Sequence, residues 1–282
     1  MADIVLISPD GMLGRAWSEL LTLRGLAFDG VSYPAFDITN ADHVARAVPN
    51  GTRWVINCAA YTDVDGAETH EADAVAVNAT GVQLLAQRCR AVAAVLVHYS
   101  TDYVFDGGAE RPYRVDEPRR PQNAYGRSKA RGEELLVASE CPQLVIRTSW
   151  LYAAWGKNFV DTIAKASHER PSLRVVNDQR GRPTSARYLA ERSLALLVIG
   201  ARGIFHVTDG GECTWFEFAR DIVAGSGGRA TVEPCTSAEF QRPAPRPAYS
   251  VLDLSATEAL LGASRSWRDN LSDVLRERAN KH

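Results

Sequence analysis

The stretch "IVLISPDGMLG", Ile4 to Gly14, decides the fold. A continuous apolar run breaks at a short turn. Apolar residues then recur at helical spacing through "MLGRAWSELLTLRG", which ends at Gly25. An apolar strand without polar alternation is one buried on both faces, as in a parallel sheet covered by helices. The turn has the outline of a dinucleotide fingerprint, with Gly11 and Gly14 at the second and third glycine positions and Ser8 at the first. Amides at the start of the helix and its dipole favour an anion there. Gly11, Met12, Leu13 and Gly14 are therefore expected to meet a pyrophosphate. Ser8 must turn the chain despite its Cβ, which a negative φ would allow. Pro9 has no N–H to donate. Asp10 is expected to turn to solvent or to cap the helix, since Asp is a preferred N-cap.

Outward from this turn, strand and helix patterns alternate. "LAFDGVSYP", "RWVINCAA", "AAVLVHYS" and "QLVIRTSW" read as strands, and "NADHVARAV", "HEADAVAVNATGVQLLAQRCRAV" and "QNAYGRSKARGEELLVA" as helices. This rhythm predicts an α/β fold: a Rossmann-type doubly wound parallel sheet with right-handed crossovers. After Trp150 the pattern changes. "GKNFVDTIAKASHE", "SARYLAERSLALLVIG" and "TWFEFARDIVA" read as helices, and "LRVVND" and "GIFHVT" as strands. A Pro-rich segment, "RPAPRPAYSVLD", precedes a terminal helix around "WRDNLSDVLRERA". The expected division is a dinucleotide-binding domain over 1–150, with elements returning to it around 170–207. A smaller substrate-binding lobe covers 151–169 and 208–282 and closes the cleft at the carboxyl ends of the strands.

Composition excludes several classes. Of 282 residues 45% are hydrophobic and 23% charged, with 32 Lys+Arg against 34 Asp+Glu, so no basic excess points to nucleic acid. The run Ala91–Val97 is far too short to span a membrane. Five widely spaced cysteines include no CxxC pair and read as free thiols in a reducing cytoplasm.

Chemistry concentrates in two places. In "YGRSK", Tyr125 and Lys129 stand four apart on a helix and share a face. An ammonium beside a phenol favours the phenolate and yields an acid–base group usable near neutral pH. In "HYSTDYVFDG", Ser100 and Thr101 close a strand at its carboxyl end, where a hydroxyl can bond a carbonyl oxygen.

A Thr–Tyr–Lys set on such a sheet resembles the extended short-chain dehydrogenase/reductase superfamily. "INCAAYTDVDGAE", "NAT", "HYSTDYVFDG", "YGRSK", "RTSWLY", "GKNF", "RVVNDQRGRPT", "GIFHVT", "EFA" and "RPAPRPAYSVLD" follow one another as in the dTDP-4-dehydrorhamnose reductase family, over almost the whole chain. The resemblance implies NADPH or NADH as cofactor and a dTDP-linked keto sugar as substrate, reduced at C4. It implies Tyr125 as proton donor, Lys129 as its partner and a ligand of the nicotinamide ribose, and Thr101 as polariser of the carbonyl. Asp102 and Trp150 match sugar contacts. Asp37 and Ile38 match adenine-side contacts, and Ala59, Ala60 and Tyr61 form a loop along the cofactor. Lys157, Asn158, Arg187, Arg242 and Arg246 are candidates for the substrate diphosphate, with the pair in "RPAPRP" favoured. Arg15 is a candidate for a 2′-phosphate or a solvated helix charge. No metal site is expected, and a homodimer is compatible with the family.

Dehydratases of the superfamily carry an acidic residue directly after this aspartate. Tyr103 stands there, which favours simple reduction. The main rival, of another class, is a non-catalytic reductase-like regulatory subunit. Ser8-Pro9-Asp10 speaks for it, while Thr101, Tyr125 and Lys129 speak against it. A reductase acting on a related keto sugar is the nearer alternative.

Overall fold

In a computed structural model, residues 2–280 are described. Strands β1 (Ile4–Ile7), β2 (Asp29–Val31), β3 (Trp54–Asn57), β4 (Val95–Thr101) and β5 (Gln143–Thr148) join a sixth, Gly203–His206, in one parallel sheet. The order is Gly203–His206, β5, β4, β3, β1, β2. It reverses direction at β1, which sets the topological switch point between β1 and β3.

β1 shows why its apolar run is unbroken. Ile4 and Leu6 face one core with Trp17, Leu20 and Leu21 of helix α1 (Met12–Leu23). Val5 and Ile7 face the opposite core with Val82, Leu85 and Ala86. Both faces are dry, so alternation is lost. Helix Ala186–Val198 packs beside α1, and the strand Gly203–His206 extends the sheet beyond β5.

The long helix read from residues 70 to 92 is continuous but not uniform. It runs as Glu71–Val75, a π-helical turn Ala76–Gly81, and Val82–Ala91. Asn78, within that turn, is buried. Its Oδ1 accepts from Tyr61 N at 3.0 Å, and its Nδ2 donates to Tyr61 O at 3.0 Å and to Ser128 Oγ at 2.9 Å. Helix Ala124–Ala138 crosses here closely enough that a Cβ on Gly132 would lie 2.1 Å from Asn78 O. A π-turn at a functional crossing is a recurrent device.

Beyond β5 a second core forms between helices Phe159–Glu169, Trp215–Gly225 and Trp267–Ala279. Ser172–Val176, the strand read from "LRVVND", pairs with Thr231–Cys235 in this lobe and not with the central sheet. Within 170–207, the elements that lie with the central sheet are thus Ala186–Val198 and Gly203–His206. The strand Thr231–Cys235 and the helix Ser255–Leu261 lie in stretches that carried no periodic signal.

Candidate active site

The carboxyl ends of β1, β3 and β4 open into a cleft of about 870 Å³. Gly11, Met12, Leu13, Asp37, Ile38, Ala59, Ala60, Thr101, Asp102, Tyr125, Lys129 and Trp150 all line it. Chain segments more than a hundred residues apart thus converge on one space.

At its phosphate end, α1 begins at Gly11 with no side-chain cap. Its first-turn amides face the cleft uncapped, as an anion requires. Gly14 does not line the cleft; a Cβ there would lie 1.7 Å from Ser8 O, so this glycine serves close packing. The turn itself departs from expectation twice. Ser8 adopts φ 58°, in the left-handed region, where glycine is the usual residue. The conformation costs on the order of 1 kcal/mol for a residue with a Cβ. It is held by Ser8 N donating to Val31 O at 2.8 Å and Gly11 N donating to Ser8 O at 3.2 Å. Asp10 does not cap α1. Its Oδ1 accepts from Ser32 Oγ at 2.5 Å, so the carboxylate swings towards the end of β2.

The loop after β3 is fixed from below. Asn57 Oδ1 accepts from Ala59 N at 3.1 Å, and Asn57 Nδ2 meets His98 Nδ1 at 3.2 Å. Tyr61 is held through its backbone by Asn78 and packs beside Tyr125 outside the cleft lining. Asp37 lines the cleft, but its Oδ1 accepts from Thr39 N and Thr39 Oγ1, which holds its carboxyl below the usual range.

Lys129 is buried on helix Ala124–Ala138, with its Nζ donating to Tyr99 O at 2.6 Å. Burial lowers its pKa to about 8, while the Glu133 carboxylate one turn on raises it. Glu133 is itself buried and paired bidentately with Arg147, Nε to Oε1 at 2.9 Å and Nη2 to Oε2 at 2.7 Å. Such a pair keeps a carboxylate ionised in the interior. His98, beside Lys129, is held neutral by burial and by that ammonium.

The pairing expected from YxxxK is different in detail. Burial and the Asp102 carboxylate push the Tyr125 phenol up, and the Thr101 hydroxyl pulls it partly back. The Lys129 ammonium is directed to the Tyr99 carbonyl. Thr101 Oγ1 donates to Asp102 Oδ1 at 2.9 Å and accepts from Tyr103 N at 3.2 Å. Asp102 is buried, and desolvation raises its pKa to about 6.

Trp150 closes the far end. Its φ of 47° turns the ring onto Trp215, with centroids 3.6 Å apart and planes 11° apart. Gly181 leaves the room: a Cβ there would stand 2.7 Å from the ring. Trp215 lines the cleft too, and sequence reasoning missed it. The available signal was "CTWFEF", where Thr214 and Glu217 form a capping box that places Trp215 first in its helix.

The phosphate candidates do not gather here. Asn158 caps helix Phe159–Glu169 through Oδ1 to Asp161 N, and its Nδ2 donates to Ala153 O and Gly156 O. Its side chain is committed to the backbone, which corrects its expected substrate contact. Arg187 pairs with Glu277 and Glu19. Arg15 pairs with Glu19 at 3.0 Å and lies over the Trp155 ring, not beside the cleft. Arg242 and Arg246 both reach Asp65, at 3.5 and 3.0 Å. Lys157 does not line the cleft. Among the described residues, no group of three His, Cys, Asp or Glu side chains could hold a metal ion.

A parallel sheet with an uncapped helix at its switch point, and Thr, Tyr and Lys across the cleft, is the arrangement expected of an oxidoreductase of the extended short-chain dehydrogenase/reductase class. Comparison with known proteins narrows the class. The model of the RmlD substrate binding domain family matches residues 2–280. A dTDP-4-dehydrorhamnose reductase of Streptomyces griseus is 42% identical, covering 93% of this chain and 90% of its own. The crystal structure of a dTDP-4-dehydrorhamnose reductase from Clostridium acetobutylicum superposes with a TM-score of 0.93 at 37% identity, covering 97% of this chain and 98% of that one. One from Bacillus anthracis, solved in complex with NADP, gives 0.92 at 34% identity, covering 97% and 98%. The chain belongs to the dTDP-4-dehydrorhamnose reductase family.

Proposed function

We propose that the protein is an NAD(P)H-dependent reductase of the C4 keto group of a dTDP-4-keto-6-deoxyhexose, converting dTDP-4-dehydro-L-rhamnose to dTDP-L-rhamnose. The observation that carries this reading is the convergence of Thr101, Tyr125 and Lys129 on a cleft that begins at the uncapped start of α1.

The residues fit a dinucleotide. Uncapped amides of Gly11 to Leu13 suit the pyrophosphate, Asp37 and Ile38 flank the adenosine end, Ala59 and Ala60 run alongside, and Lys129 suits the nicotinamide ribose. A reduced nicotinamide supplies a hydride to C4 when bound. The protein's own part is the proton and the charge. The raised pKa of Tyr125 keeps the phenol protonated, so it is a donor to the C4 oxygen as negative charge develops. Such a positioned acid is worth about 10²–10⁴ in rate. The Thr101 hydroxyl donates its one hydrogen to Asp102 Oδ1 in this arrangement, and it becomes the second donor to that oxygen by turning from Asp102 when substrate binds. The Lys129 ammonium adds fixed positive charge in a dry setting, where it counts for more than in water.

Trp150 and Trp215 form the wall for the sugar or the base. A wall of this kind reads a ring face more than particular hydroxyls, so a related nucleotide-linked keto sugar is the second reading. The lobe 151–169 and 208–282 is the substrate-facing part. The setting is the cytoplasm, which suits five free cysteines. The test is NAD(P)H oxidation with dTDP-4-dehydro-L-rhamnose. Turnover by wild type supports the reading, and absence of both turnover and cofactor binding ends it.

A further inference from the structure

Dinucleotide-binding folds of this type that take NAD carry an acid at the end of the second strand, where it accepts the 2′-hydroxyl of the adenosine ribose. Here β2 ends in Val31, and Ser32-Tyr33 follow. The strand end has no acid of its own. The tertiary structure brings one there from the turn after β1.

The turn is seated on β2. Ser8 N donates to Val31 O at 2.8 Å, and a Cβ on Gly30 would lie 3.1 Å from the Pro9 ring. The left-handed Ser8 sets the direction in which the chain leaves β1. Asp10 then stands over Ser32, which donates its hydroxyl hydrogen to Asp10 Oδ1 at 2.5 Å. That single bond orients the carboxylate and occupies one oxygen. Among the described residues Oδ2 has no hydrogen-bond partner, and the side chain is exposed. Ser8, Tyr33 and Phe36, the neighbours of this pair, line the cleft, while Asp10 and Ser32 themselves stand outside its lining.

Among the described residues, no Lys or Arg is paired with Asp10. Residues 32–40 contain neither Lys nor Arg. Arg15, the nearest arginine in sequence, is held by Glu19 and stacked on Trp155. Asp37 adds a second carboxylate at the same end of the cleft. His43 Nδ1 accepts the Asp37 N–H at 3.0 Å.

We propose that Asp10, presented by the turn and braced by Ser32, selects NADH over NADPH: its carboxylate accepts the ribose 2′-hydroxyl and repels a 2′-phosphate. This rests on the cofactor reading above and assigns the selectivity of that site to a residue outside β2.

The experiment uses the full chain. Dissociation constants for NADH and NADPH are measured by cofactor fluorescence, and kcat/KM for each with dTDP-4-dehydro-L-rhamnose, for wild type, Asp10→Asn, Asp10→Ala and Ser32→Ala. Wild type is expected to favour NADH by about tenfold or more at low salt, and less as salt rises. Both Asp10 variants are expected to bring the ratio close to one, mainly by gaining NADPH affinity. Because they gain an activity, misfolding cannot mimic the result. Ser32→Ala, which frees the carboxylate to rotate, is expected to weaken NADH binding without helping NADPH as much. A wild-type preference for NADPH, or a ratio unmoved in both Asp10 variants, overturns the assignment while leaving the cofactor reading intact. If wild type binds neither cofactor, the cofactor reading fails and this assignment with it.

Discussion

Arg246 Nη2 lies 3.0 Å from Asp65 Oδ1, joining the Pro-rich segment near the C-terminus to the loop that follows β3. Arg242 reaches the other oxygen of Asp65 at 3.5 Å, Ala244 N donates to Oδ1 at 3.2 Å, and Asn123 Nδ2 donates to Pro245 O at 2.9 Å. The segment is thereby strapped across the start of helix Ala124–Ala138, with the Arg246 guanidinium 5.9 Å from the Tyr103 ring centre. An arginine expected from its sequence motif to hold the substrate diphosphate is, in this arrangement, paired with a carboxylate. On that expectation, substrate phosphate and Asp65 compete for it.

That competition predicts opposite effects from the two partners. Arg246→Ala is expected to raise KM for the dTDP-sugar about tenfold or more, with cofactor affinity unchanged. Asp65→Asn is expected to tighten dTDP binding a few-fold at low ionic strength. Calorimetric titration with dTDP checks both. Equal affinity in wild type and Arg246→Ala would remove Arg246 from the substrate site.

Tyr125→Phe removes the proposed proton donor and its contact with the Thr101 hydroxyl while the ring keeps its packing. The expected loss is about 10²–10⁴ in kcat with the reduced-cofactor dissociation constant unchanged. Steady-state kinetics beside fluorescence titration separate the two quantities. A kcat within a few-fold of wild type would mean that another group delivers the proton.

The two glycines of the turn are expected to fail differently. A Cβ at Gly14 would sit 1.7 Å from Ser8 O, so Gly14→Ala is expected to lose about 3 kcal/mol of stability. A Cβ at Gly11 meets only Ser8 O at 3.4 Å, and its φ of −68° suits any residue. Gly11→Ala is expected to cost under about 1 kcal/mol, yet to weaken cofactor binding markedly, because Gly11 lines the cleft at the start of α1, where a fingerprint glycine lets the backbone approach a pyrophosphate. Urea denaturation and cofactor titration of both variants test this; a strongly destabilised Gly11→Ala would contradict it.

Lys129 gives stability a pH dependence whose sign is defined. Its pKa falls from 10.5 in the unfolded chain to about 8 in the fold, chiefly by burial. Below about 8 both states carry the proton and the burial penalty is present in full. Between about 8 and 10.5 the unfolded chain holds more protons, so this site makes stability rise with pH. Urea midpoints for wild type and Lys129→Met over that interval should converge or cross in favour of wild type. Parallel curves would show that Lys129 does not titrate there.

Much of this was legible in residue patterns. The dry apolar run of β1, the helical spacing of "MLGRAWSELLTLRG" and the alternation that follows specify a doubly wound α/β sheet, because strand and helix periods are local properties. The family motifs carried the chemistry: Thr101, Asp102, Tyr125, Lys129 and Trp150 all line one cleft. Local signals also explain what was missed. Asn158 has the motif of a ligand but the position of an N-cap, and the backbone claims its side chain. "TVEPC" has no period that marks a strand, and becomes one only by pairing with Ser172–Val176.

By itself the sequence determined the sheet, its crossovers and the residue types able to reduce a carbonyl. Only the tertiary structure decided what each of those groups touches. It turned Lys129 to the Tyr99 carbonyl, set Trp150 on Trp215, and tied Arg246 to Asp65. It also placed Asp10 on Ser32 by holding Ser8 in a left-handed conformation that its own Cβ disfavours. The physical reason is one of range. Backbone preference and periodicity act over a few residues, whereas hydrogen bonds and ion pairs act over a few ångströms between segments that folding alone brings together.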